Sequence, residues 1–161
     1  MPSETITQRA YVIGVTKQTV IQDLARTFYT LLNNHVNPKG TEKFWFPAFP
    51  EADLDNGKLS YPIGTFEILT REEKFTIERK WLIGELSLDI FSNSAAQMDE
   101  LTQEVINAID KERGTLWTLN VRKLNMDNMD YAHFQRGQEI SIHNKTLTYA
   151  FQYPYTEAIF S

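Results

Sequence analysis

The chain has 161 residues, enough for one domain with a core of its own. It contains no cysteine, which excludes structural disulfides, cysteine-ligated zinc and a cysteine nucleophile. Its net charge is −5 and the excess is concentrated: residues 85–112 carry seven acids against Lys111 alone, the wrong sign for a protein that grips nucleic-acid phosphates.

The opening stretch MPSETITQRA lacks the basic region and apolar core of a signal peptide. No apolar run approaches the roughly 20 residues that span a bilayer. The chain is therefore expected to be made in a cytoplasm, without a membrane partner. Residues 1–10 read as a flexible arm, and Tyr11-Val12-Ile13-Gly14-Val15 as a short strand or an ordered part of that arm. Thr19 and Gln22 have capping-box spacing, which predicts a helix starting there. Ile21, Leu24, Phe28, Leu31 and Leu32 give it one apolar face, and Asn33-Asn34-His35 end it before Pro38 and Gly40.

Residues 35–61 show no clear periodicity. They hold Pro38, Pro47, Pro50 and the turn signal Asp55-Asn56-Gly57, and read as one long loop. In its middle lies FWFPAFP, residues 44–50, with Phe44, Trp45, Phe46 and Phe49 between prolines that disfavour a helix or a central strand. Three uses are open for these rings. They can close over the domain's own core, anchor a protein–protein contact, or stack on sugars or bases.

Strand signals follow. Ile63 to Leu69 reads as one strand and Arg71-Glu72-Glu73 as a polar turn. From Phe75 to Phe91 the apolar alternation changes phase near Gly84, which predicts a bulge. Ser92 or Ser94 then caps a second helix, whose buried stripe is Met98, Leu101, Val105 and Ile109 and which Gly114 stops. Trp117, Leu119 and Val121 alternate as a strand. Asp127, Asn128 and Asp130 mark a turn, Ile140 and Ile142 suggest another strand, and Leu147, Tyr149, Phe151 and Tyr153 a final one. Residues 154–161 form a tail that ends apolar at Ile159 and Phe160. The fold class this predicts is α+β: one domain over 1–161, a mostly antiparallel sheet, two main helices on one face, and a long aromatic loop between the first helix and the sheet.

Chemistry is sparse in the pattern. His35, His133 and His143 have no metal-ligand spacing, although His133 and His143 could meet across a hairpin as surface or packing residues. There is no nucleophile elbow, phosphate-binding glycine loop or paired-histidine zinc motif. Glu78-Arg79-Lys80 matches the E-x-K half of a magnesium-dependent nuclease site, with Asp55 or Glu67 as the other acid. The acidic balance opposes that use. The expectation is a non-enzyme with no cofactor and no metal.

The stretch ERKWLIGELSLDIFSNSAAQMDELTQEVINAID, residues 78–110, resembles the centre of tail terminator (tail completion) proteins of long-tailed phages. The shared features are an alternating strand ending in Asp89-Ile90-Phe91, a serine-rich turn and an amphipathic helix. An early helix, a proline-bearing lead into a strand (SYPIGTFEIL) and a late strand fit as well. The resemblance implies a structural virion protein that forms a homohexameric ring on the tail tube. Such a ring stops tube polymerisation and offers a joining surface to the head completion or connector protein, while genome DNA passes through without specific binding. On this resemblance Phe44, Trp45, Phe46, Phe49, Ile159 and Phe160 are candidates for the assembly interface. The exposed acids Asp99, Glu100 and Glu104 are candidates for a lumen wall. The dense run FWFPAFP departs from the family's pattern. Other connector or tail components, and a small domain whose aromatic loop binds glycan or peptide, are the alternatives.

Overall fold

The computed structural model describes residues 17–40, 42–75, 80–136 and 140–155. The expected arm at 1–10, the strand at 11–15 and the tail beyond Tyr155 lie outside them. Helix α1, Lys17–His35, buries Leu24, Phe28, Leu31 and Leu32 completely, the stripe their spacing predicts. The capping-box expectation fails: Thr19 lies inside α1, because Lys17 and Gln18 are good helix formers and already belong to it.

The interval expected as a loop contains two elements. Strand β1, Trp45–Phe46, survives between prolines because it is very short and sits at the sheet edge. Helix α2, Glu51–Asp55, follows. Strands β2 (Ile63–Phe75), β3 (Lys80–Ser92), β4 (Arg122–Arg136) and β5 (Ile140–Tyr155) complete a sheet of order β1-β2-β3-β5-β4. Only the β1–β2 pair is parallel. Helices α3 (Ala95–Lys111) and α4 (Arg113–Thr118) lie between β3 and β4 in the chain. The class is thus α+β, with a mostly antiparallel sheet and α1 and α3 as its main helices.

The core lies between those helices and one sheet face. Leu82, Gly84, Leu86, Leu88 and Ile90 of β3 are buried in unbroken alternation, beside Leu147, Tyr149, Phe151 and Tyr153 of β5. Phe28 of α1 meets Phe151 with ring centroids 5.8 Å apart, and Tyr29 meets Phe66 at 5.6 Å. Helix α3 adds Met98, Leu101, Val105, Ala108 and Ile109 to the same cluster. Gly84 pairs with Phe151, and a Cβ there would come within 2.9 Å of the ring. The phase change expected at Gly84 is absent from β3; the irregularity lies in the facing strand, where Thr70 pairs Gly84 and Glu72 pairs Ile83, leaving Arg71 over.

Several expected boundaries shift. Arg71-Glu72-Glu73 is part of β2, because backbone pairing to β3 runs on through the charged residues. Trp117, Leu119 and Val121 do not form a strand: the chain restarts as α4 after a break at Glu112, and Gly114 lies within that helix. Asp127, Asn128 and Asp130 lie in β4, at a register irregularity between Met126 and Asn128. Ile140 to Tyr155 is one strand. The α3 cap is as expected: the Ser94 hydroxyl accepts from the Gln97 N–H at 3.3 Å. The Ser92 hydroxyl accepts from the Ser94 N–H at 3.0 Å and donates to Gln97 Oε1 at 2.7 Å.

Candidate assembly surface

FWFPAFP grips both faces of the sheet at its β1 edge. Phe44 and Trp45 are fully buried in the main core and meet edge to face at 5.0 Å. The Trp45 indole N–H donates to the Val36 carbonyl at 2.8 Å, giving the one polar atom of a buried ring its partner just past the end of α1. Gly64 lies beneath: a Cβ there would stand 2.7 Å from the Trp45 ring. Phe46 alternates to the far face and is 9% exposed. Phe49 packs edge to face on Phe91 at 4.9 Å, and Phe91 on Phe134 at 6.4 Å. Ile63, paired with Phe91, and Ile142, paired with Phe134, are buried in this smaller far-side cluster.

For the residues expected at an assembly interface this has a direct consequence. Phe44 and Trp45 have no surface left for a partner, glycan or peptide, because they fill the chain's own core. Phe46 has almost none, and Phe49 is half-buried on Phe91. Ile159 and Phe160 lie outside the described residues. The acids Asp99, Glu100 and Glu104 are all exposed on α3. Asp99 faces a counter-ion, Lys145 Nζ, at 3.5 Å. Glu100 and Glu104 stand one turn apart on the outer side of the helix.

Two other corners carry charge. His35 Nε2 lies 2.9 Å from Glu112 Oε1, tying the C-terminus of α1, where positive charge is favoured, to the α3–α4 break. Trp117 is 59% exposed, and the Arg122 guanidinium sits 3.7 Å from its ring centroid. Arg122 also donates to the Trp117 carbonyl at 2.8 Å, and Arg113 to Asp110 at 3.1 Å and to the Leu124 carbonyl. These two bases are engaged within their own corner, beside a cavity of about 220 Å³ lined by Leu116, Val121 and Lys123 among others.

Strands β4 and β5 bring together two residues whose meeting the sequence allowed. His133 and His143 do meet, directly opposed in register with rings stacked 4.6 Å apart. Tyr131 Oη lies 2.7 Å from His143 Nδ1, and His133 Nε2 is hydrogen-bonded to the Ser141 hydroxyl. Among the described residues no three His, Cys, Asp or Glu side chains converge as a ligand set. Glu78 and Arg79 of the E-x-K pattern lie outside the described residues. From Asp127 to Gln135, every residue of β4 is exposed, on both faces of the sheet. Toward the middle of the far face Asp89 is held by Asn144 Nδ2 at 3.2 Å and by the Thr146 hydroxyl.

No family model matches the chain, and no curated protein matches it in sequence. No helix among the described residues is long and apolar enough to cross a membrane. The described surface therefore speaks through its shape: a sheet covered by helices on one face, with a long bare strand at one edge.

Proposed function

We propose that this chain is a phage tail terminator: a structural virion protein that caps the tail tube as a hexameric ring, ends tube polymerisation and forms the head-joining surface. The observation that carries this reading is the position of the resembling stretch in the fold. Strand β3, which ends in Asp89-Ile90-Phe91, is the middle strand of five. The Ser92–Ser94 turn caps α3, and α3 packs into the core beside α1. The resemblance thus rests on the frame of the domain and not on a peripheral segment.

On this reading the partners are further copies of the chain, the tail tube protein and the head completion or connector protein. The location is the virion tail, after synthesis in the host cytoplasm. The exposed carboxylates of Glu100 and Glu104 suit a wall past which DNA slides, since like charges repel. The deciding experiment is negative-stain electron microscopy of the purified chain, alone and mixed with tail tubes. A terminator caps one end of each tube, with six-fold symmetry in end views. Binding along the whole tube would make it a tube component instead. A chain that never touches a tube end would sink the proposal.

A further inference from the structure

We infer that the outer edge of β4 is a pairing edge for a second copy of this chain, whose β2 supplies the partner strand, so that neighbouring subunits continue one sheet. An edge strand presents unpaired N–H and C=O groups, and monomeric proteins blunt such edges with lysine, proline, bulges, shortness or a covering element. Strand β4 is 15 residues long. Its stretch 127–135 contains neither lysine nor proline, its charges are Asp127 and Asp130 alone, and every residue in it is exposed. Its two register irregularities, at Arg122/Asn125 and Met126/Asn128, come at or before the start of that stretch and leave the rest regular. Large apolar side chains gather at the same place. Met129 is 42% exposed, Tyr131 52% and Phe134 39%.

The opposite edge of the sheet offers a partner strand of fitting direction. Strand β1 covers β2 only at Gly64 and Thr65, so 66–75 has no neighbour on its outer side among the described strands. That stretch is ten residues against nine and carries Leu69, 41% exposed, although Lys74 and the bulge at Arg71 make it the more guarded of the two edges. Strands β2, β3, β5 and β4 alternate in direction, so β4 runs antiparallel to β2. A second copy whose β2 lies along β4 therefore continues the alternation, in the more stable type of pair. The joint is heterologous, two different edges meeting, and such joints propagate into a ring where the rotation closes and into a filament where it does not. The inference rests on the terminator reading only for the number of copies; the pairing itself rests on the two edges.

The experiment uses two variants of the full chain, each changed only at exposed positions: Met129→Lys with Phe134→Lys blocks the β4 edge, and Leu69→Lys blocks the β2 edge. Circular dichroism and thermal melts first establish that both fold. Sedimentation velocity is then run across concentration, and each protein is also imaged with tail tubes. The expected result is association of the wild type, in solution or as caps, and monomers for each variant alone. An equimolar mixture of the two should stop at dimers, because one joint per pair stays intact. A Leu69→Lys chain that dimerises alone would show two-fold β4–β4 pairing and overturn the joint as stated. Variants that associate and cap like wild type, or a wild type that stays monomeric in solution and on tubes, also overturn it. A wild type that pairs through these edges yet ignores tube ends would instead overturn the terminator reading and leave the pairing standing.

Discussion

Trp45 lies wholly in the core, donates its indole N–H to Val36 and presses on Gly64. Trp45→Ala should therefore lower unfolding free energy by about 3–5 kcal/mol, read from urea titration. Gly64→Ala should cost about 1–3 kcal/mol, since the new methyl has only rigid rings to push against. Phe49→Ala should cost less than Trp45→Ala, because Phe49 is only half-buried. Tyr153 behaves in the opposite sense. Its ring is buried but its hydroxyl has no hydrogen-bond partner among the described residues. Tyr153→Phe should leave stability unchanged or raise it by about 1 kcal/mol, measured in the same titration. The rings of FWFPAFP were visible in the sequence, but their destination was not. Burial in one's own core and burial against a partner reward an apolar side chain equally.

Elements were legible in proportion to their length and one-sidedness. Helices α1 and α3 each run several turns with one buried stripe, so their spacing announces them. Ser94→Ala should cost about 1 kcal/mol by removing the α3 cap, detectable as a lower thermal midpoint. Helix α4 is too short for its period to register, and Trp117, Leu119 and Val121 mimic a strand by chance alternation. Strand β4 was hidden for the reverse reason. From Asp127 to Gln135 it is exposed on both faces and has no buried apolar side to alternate, and its Asp and Asn residues look like a turn. The bulge at Arg71 lies opposite Gly84, in residues whose charges read as a turn, and it depends on a pairing that the local pattern does not encode.

For the whole molecule, the α+β class followed from the order of the long elements, whereas the strand order did not. Placing β5 between β3 and β4 needs tertiary pairing that no single segment carries. The core also sets an alkaline limit. Burial pushes the phenols of Tyr149 and Tyr153 up to about 12; Asp110 adds to the first against Arg113, and Asp23 adds to the second. Below the ordinary tyrosine value of about 10 both are neutral, folded or unfolded. Above it the unfolded chain releases these protons while the folded chain holds them, so stability falls as pH rises and the contribution is lost through about 12. Denaturation midpoints measured from pH 9 upward should decline in that window, and Tyr149→Phe with Tyr153→Phe should flatten the decline.

Strand β5 has one more consequence, which concerns synthesis. It is the last of the described strands to leave the ribosome, yet it lies inside the sheet, paired with β3 along one side and β4 along the other. Until residues 140–155 have been translated, β4 has no strand to lie against and Leu86 and Leu88 have no Tyr149 and Leu147 beside them. The nascent chain can form its helices early, but the sheet closes only in a late, long-range step. A half-made subunit therefore has no ordered β4 edge, and on the pairing proposed above only chains translated through β5 are competent to join another.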